Sequence, residues 1–148
     1  MINEEKQILL KDLVARLPYT PMVNIKEIEG YNRKLISFER NYSRHEFTVV
    51  VNSDEDEVYC PHNFSLDEVK PYLRPMSSMT EEEKIEYDQL CYNCQEQDSV
   101  DYNITELDGT LLVYVIDWLN AHHFDYRGLI EKGLALEAPE GMYNLKEK

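Results

Sequence analysis

The chain has 148 residues, a length that suits one domain, and its 39 Leu, Ile, Val and Phe residues exceed the level below which chains tend to stay disordered. A chain of this size buries about 68 to 70% of its unfolded surface, enough for a core without metal or disulfide staples. The formal charge of -14 disfavours general nucleic-acid binding, which relies on clustered Lys and Arg, and the longest apolar run, Leu111 to Ile116, is far short of the roughly 20 residues of a membrane helix.

The charge is unevenly placed. Residues 1 to 52 carry eight Lys/Arg against seven Asp/Glu, whereas residues 53 to 148 carry seven against 22. A single domain, 1–148, is expected, with a helix and antiparallel sheet in 1–62 and a mainly helical, acidic 63–148. The start, Met1 to Lys6, has neither the basic opening nor the apolar stretch of a secretory signal, so a cytoplasmic chain is expected.

Asn3 to Leu17 places Leu10, Leu13, Val14 and Leu17 at the spacing of one helix face, with Glu4 and Glu5 at the start, Arg16 at the end and Pro18 as terminator. Three strands are predicted next: Met22 to Ile28, Lys34 to Arg40, and Glu46 to Asn52, the last alternating Phe47, Val49 and Val51 with Thr48, Val50 and Asn52. Glu57 to Cys60 is a candidate fourth. Consecutive short strands predict an antiparallel meander of SH3-like or open-barrel form. Ser65 with Glu68 forms a capping box for a helical turn, and Lys70 to Pro75, with prolines at 71 and 75, reads as a rigid connector. Thr80 with Glu83 is a second capping box, opening a helix to about Gln95 with Tyr87, Leu90, Cys91 and Cys94 on one stripe. Glu96 to Gly109 reads as a loop, Thr110 to Ala121 as a helix, Asp125 to Gly133 as a short capped helix, and the tail after Pro139 as extended. The fold class is α+β.

Three stretches, Leu10 to Tyr19, Val69 to Glu83 and Asp117 to Ile130, carry a resemblance to a group of small uncharacterised proteins encoded in prophages and mobile elements of Bacteroides-type gut bacteria. The resemblance implies a mobile-element origin and a helix, small sheet and helices in that order; it assigns no activity to any residue.

Candidate chemistry is sparse. Cys60-Pro61-His62 and Cys91-Tyr92-Asn93-Cys94 have metal-ligand types, but Cys91 and Cys94 fall on an apolar helical stripe, where cysteine is ordinarily a small core residue, and no metal is expected. His122 and His123 are adjacent, so their side chains diverge by about 100° on a helix, and termination of that helix accounts for them better than catalysis with Asp125 and Arg127. Glycines at 30, 109, 128, 133 and 141 cannot form a phosphate loop, so no nucleotide cofactor is expected. Trp118, Phe124 and Tyr126 suggest a packed aromatic cluster.

These readings converge on a non-enzymatic protein-binding or regulatory module with a protein partner of phage or host origin. The candidate contact residues are a basic group, Arg33, Lys34, Arg40 and Arg44, and an acidic group, Asp54, Glu55, Asp56 and Glu57. The alternatives are an acidic nucleic-acid mimic that occupies a partner's basic groove, and a small metal-dependent hydrolase using His62, His122, His123 and the cysteines.

Overall fold

The computed structural model describes residues 1–26, 32–43, 46–52, 62–96 and 104–143. The chain is α+β: helix α1 (Asn3–Arg16), strands β1 (Met22–Ile25), β2 (Asn32–Asn41), β3 (Glu46–Val51), β4 (His62–Ser65) and β5 (Val69–Leu73), helices α2 (Glu81–Glu96) and α3 (Ile104–Ala121), and a short strand β6 (Leu136–Glu137). The six strands form one sheet in the order β4-β3-β2-β1-β5-β6. All neighbours are antiparallel except β5 and β6, which are parallel. The expectation of a wholly antiparallel sheet confined to 22–60 is therefore corrected: the sheet is mixed, and the C-terminal half contributes three of its strands as well as two helices. The fourth strand expected at Glu57 to Cys60 lies outside the described residues.

The core sits between α1 and one sheet face. Leu9 and Leu13 of α1 meet Val23, Ile25, Leu35, Val49, Val51, Val69 and Leu73, which within β1, β3 and β5 fall two or four residues apart as one pleated face requires. The buried stripe of α1 is Leu9, Asp12, Leu13 and Arg16, while Val14 is 50% exposed. The helix is thus turned away from the all-apolar face expected from the sequence, and two of its four inward positions are charged. They are tolerated because each is the other's main partner, with Arg16 Nη1 left as a buried nitrogen that has no hydrogen-bond partner among the described residues. Arg16 Nε and Nη2 donate to the two carboxylate oxygens of Asp12 at 2.7 and 3.1 Å, with both side chains fully buried. Nη2 also donates to the carbonyl of Phe124 at 2.7 Å, and Arg127 Nε lies 3.3 Å from Asp12. A bidentate guanidinium–carboxylate pair is among the strongest arrangements for buried charge, and here it ties the first helix to a segment 108 residues later.

Strand β5 is the spine that joins the two halves, although Lys70 to Pro75 reads as a connector in the sequence. Pro71 is accommodated by ladder geometry. Lys26 N–H donates to Glu68 C=O at 2.8 Å, which fixes Asn24 and Lys70 as a hydrogen-bonded pair and Val23 with Pro71 as a non-bonded one. The ring nitrogen of Pro71 therefore faces away from β1, on the side where β6 has not yet begun. Beyond Tyr72, β1 gives way to another neighbour: Arg74 N–H donates to His123 C=O and Asp125 N–H to Arg74 C=O, both at 2.8 Å, forming a parallel bridge with Phe124.

A second cluster holds the helices. Val115, Leu119 and Phe124 are buried against Tyr87, Leu90 and Cys91 of α2 and Met76 and Met79 of the preceding turn. Helix α3 begins at Ile104, so part of the loop expected from Glu96 to Gly109 is helical. The spacing Ile104, Leu107, Leu111 and Val115 extends the helical period upstream, and one interior glycine, Gly109, costs such a helix only about 1 kcal/mol. Helix α3 ends in a left-handed cap at His123 (φ 60°): His123 N–H donates to Asn120 C=O and Phe124 N–H to Leu119 C=O. The short helix expected from Asp125 to Gly133 is replaced by turns, because Gly128 adopts φ +68° and breaks the helical path; Asp125 still caps the segment, accepting from Leu129 and Ile130 N–H at 2.8 and 2.9 Å. The tail also departs from its extended expectation, turning at Pro139 with Met142 N–H donating to Pro139 C=O.

The buried pair yields a stability prediction. Asp12→Ala leaves the Arg16 guanidinium buried without its carboxylate, and the expected loss is about 3–5 kcal/mol in urea unfolding. A double variant, Asp12→Leu with Arg16→Met, is expected to recover most of that loss. A single variant within about 1 kcal/mol of the parent contradicts this assignment.

Candidate acidic cleft

A half-open cleft of about 810 Å³ lies between the start of α2 and the tail that follows β6. One wall is the first turns of α2, bearing Glu82, Glu83 and Glu86. Its position is set by the Thr80–Glu83 capping box seen in the sequence: Glu83 N–H donates to Thr80 Oγ1 at 3.2 Å, and Thr80 N–H to Glu83 Oε2 at 2.9 Å. The opposite wall is Glu137, Ala138, Pro139, Glu140 and Tyr143, and the floor is Arg74, Pro75 and His122.

The electrostatics are one-sided. Among the described residues, five glutamates line the cleft against one arginine, and that arginine is already engaged: Arg74 holds Glu83 in a two-pronged ion pair at 2.7 and 2.8 Å while its guanidinium sits 4.3 Å from the centre of the Phe124 ring. Burial pushes the Glu83 carboxyl up, but hydrogen bonds from Arg74 and the Thr80 amide and the charges of Arg74 and His122 outweigh it, leaving it below its ordinary value. Glu86 accepts from Trp118 Nε1 at 3.2 Å. Among the described residues, Glu82, Glu137 and Glu140 make no ion pair, so three carboxylates face the cleft uncompensated.

His122 is held by a stack on Trp118, ring centroids 4.0 Å apart, with Nδ1 2.8 Å from the Trp118 carbonyl. A carbonyl only accepts, so Nδ1 carries the proton and Nε2 is left for other partners. His123 stacks instead on Tyr143, at 3.7 Å. The two histidines therefore have different partners. The Tyr143 hydroxyl occupies the gap where β1 leaves β5: Met22 N–H donates to it at 2.9 Å, and it donates to Tyr72 C=O at 2.8 Å. One side-chain oxygen thus takes the place of a ladder hydrogen bond and fastens the tail that forms the cleft wall. Burial raises the Tyr143 phenol to about 12, against the smaller opposing effects of Met22 and Arg16.

Of the residues singled out in the sequence, His122 lies on the cleft floor, while the described contact candidates Arg33, Lys34 and Arg40 are not among the lining residues. Arg33 is buried at 3% exposure and Lys34 is exposed on the opposite face of β2. A bulge between Leu35 and Ser37 reverses the alternation, so Arg40, opposite Phe47, returns to the face of Arg33 and Leu35. Lys34 and Arg40 therefore do not share a face. Arg44, Asp54, Glu55, Asp56 and Glu57 lie outside the described residues, as do Cys60 and the side chains of His62 and Cys94; Cys91 is half-buried beside Leu90 in the helical cluster. No group of three or more metal-ligating side chains occurs among the described residues. Sequence reasoning missed Arg74, Glu137, Glu140 and Tyr143; the Thr80–Glu83 box and His122 were the parts of the cleft that it named. No protein-family model, curated protein or solved structure matches the chain. No helix among the described residues is long and apolar enough to cross a membrane.

The Tyr143 hydroxyl makes a pH prediction. Its folded-state value of about 12 stands above the ordinary 10.0, so its contribution is complete below pH 10 and is lost as pH rises from 10 towards 12, where the unfolded chain ionises first. Urea unfolding between pH 9 and 12 is expected to show this decline, and Tyr143→Phe to flatten part of it while lowering stability at pH 7 by about 1–3 kcal/mol through the unsatisfied Met22 N–H and Tyr72 C=O. An unchanged alkaline profile in the variant contradicts the bridging role.

Proposed function

We propose that the chain is a non-enzymatic protein-binding module, of mobile-element origin and acting in the cytoplasm as its sequence suggests, whose acidic cleft receives a basic segment of a partner protein. The observation that carries this reading is the cleft itself, with Glu82, Glu137 and Glu140 exposed to it and its one arginine already neutralised by Glu83. Ligand pockets for small molecules are mostly apolar and enclose most of the ligand. A half-open cavity walled by glutamates suits a cationic chain entering from solvent, drawn in by the local negative field.

Shape separates this reading from nucleic-acid mimicry. A mimic that fills a partner's basic groove presents its carboxylates on a projecting surface, whereas these carboxylates line a concavity that receives a projection. The hydrolase reading draws on His122 and His123 together, and their rings stack on Trp118 and Tyr143 respectively.

The test is the association of the purified chain with an Arg-rich peptide of about eight residues, followed by fluorescence anisotropy at several salt concentrations. Binding is expected to weaken as salt rises, and replacing Glu82, Glu137 and Glu140 together by Gln is expected to reduce the on-rate more than it raises the off-rate. Salt-independent binding, or binding unaffected by the triple variant, contradicts the assignment to the cleft.

A further inference from the structure

We infer that the basic partner segment binds as an added strand on β6, a mode that rests on the reading of the cleft given above and specifies how it is filled. The observation is backbone, not charge. Leu73 is the bonded residue in the β5–β6 ladder: its carbonyl accepts from Ala138 N–H at 2.8 Å, and the register pairs it with Glu137. In a parallel ladder this directs Leu136 and Ala138 towards β5 and turns the N–H and C=O of Glu137 to the opposite side. β6 is the last strand in the sheet order, and Glu137 is exposed on the wall of the cleft. Among the described residues, the sheet therefore ends in an unpaired donor and acceptor at a residue that lines the acidic hollow.

An extended peptide meets that edge as the next strand, about 4.8 Å away, by the strand-addition mode in which main-chain bonds supply docking and alternate side chains supply selection. The edge is short. On one side Ala135 N–H is already used by Leu129 C=O, and on the other Pro139 has no N–H and its carbonyl accepts from Met142. One pair of hydrogen bonds fixes register, and the remaining attraction comes from Glu82, Glu86 and Glu140. Because side chains of a strand alternate, the fitting sequence carries Arg or Lys at every second position rather than in an unbroken run.

Three peptides of about eight residues alternating Arg and Thr decide this: the parent, one with the backbone nitrogens of the Arg residues methylated, and one with those of the Thr residues methylated. Strand addition predicts that one methylated peptide loses at least about tenfold in Kd while the other binds like the parent, and that the parent alone slows hydrogen exchange at the Glu137 amide. If both methylated peptides bind like the parent, or both lose equally, strand addition is overturned while the cleft remains the binding site. If none of the three binds, and an unbroken Arg peptide also fails, the reading of the cleft falls with it.

Discussion

The buried pair of Asp12 and Arg16 is the constraint on which the rest of the architecture depends. Two charges with no exposure are costly to bury, and they persist because one guanidinium satisfies a carboxylate on its own helix and a carbonyl from the far end of the chain. That carbonyl belongs to Phe124, whose ring also lies in the helical cluster and under Arg74. The hub therefore couples three things: the α1–sheet core, the end of α3, and the floor of the cleft. Tyr126, with Arg16 and Arg127 each about 5 Å from its ring, adds an aromatic contact to the same hub.

Strand β5 transmits that arrangement sideways. Its backbone bonds β1 through Lys70, then the Tyr143 hydroxyl at Tyr72, then Phe124's neighbours at Arg74, while its other edge holds β6. Three successive partners on one edge mean that the N-terminal sheet, the C-terminal tail and the end of α3 are placed relative to one another by β5 and the residue that follows it. The cleft is what remains open between them. Its acidic character follows from this geometry, since an exposed α2 start rich in Glu and a polar tail face each other across Arg74, which is already paired with Glu83.

The sequence disclosed the elements more readily than their faces. The Thr80–Glu83 box located α2, and Tyr87, Leu90 and Cys91 pack as their spacing indicated. The rotation of α1 was hidden because a periodicity argument counts Asp12 and Arg16 as outward, and only their mutual bonding allows them inside. β5 was hidden by its prolines, because whether a proline fits a sheet depends on which side its nitrogen faces, a property of register and not of composition. The cleft was least legible. Glu137, Glu140 and Tyr143 meet α2 only after the 120–130 turns reverse the chain, and nothing local in their sequence signals that return. That Lys34 and Arg40 lie on different faces of β2 was hidden for a comparable reason, since the bulge after Leu35 is invisible to an alternation count.

Amide hydrogen exchange in Arg16→Met tests the central claim most directly, because it cuts the tie to Phe124 together with the pair to Asp12, which keeps Arg127 as a partner. If that tie positions the cleft floor, protection falls selectively at the Arg74, Asp125, Leu129 and Ile130 amides while the β2–β3 ladder keeps its own. Protection that is unchanged at those four amides, or that falls equally across the whole sheet, contradicts the account.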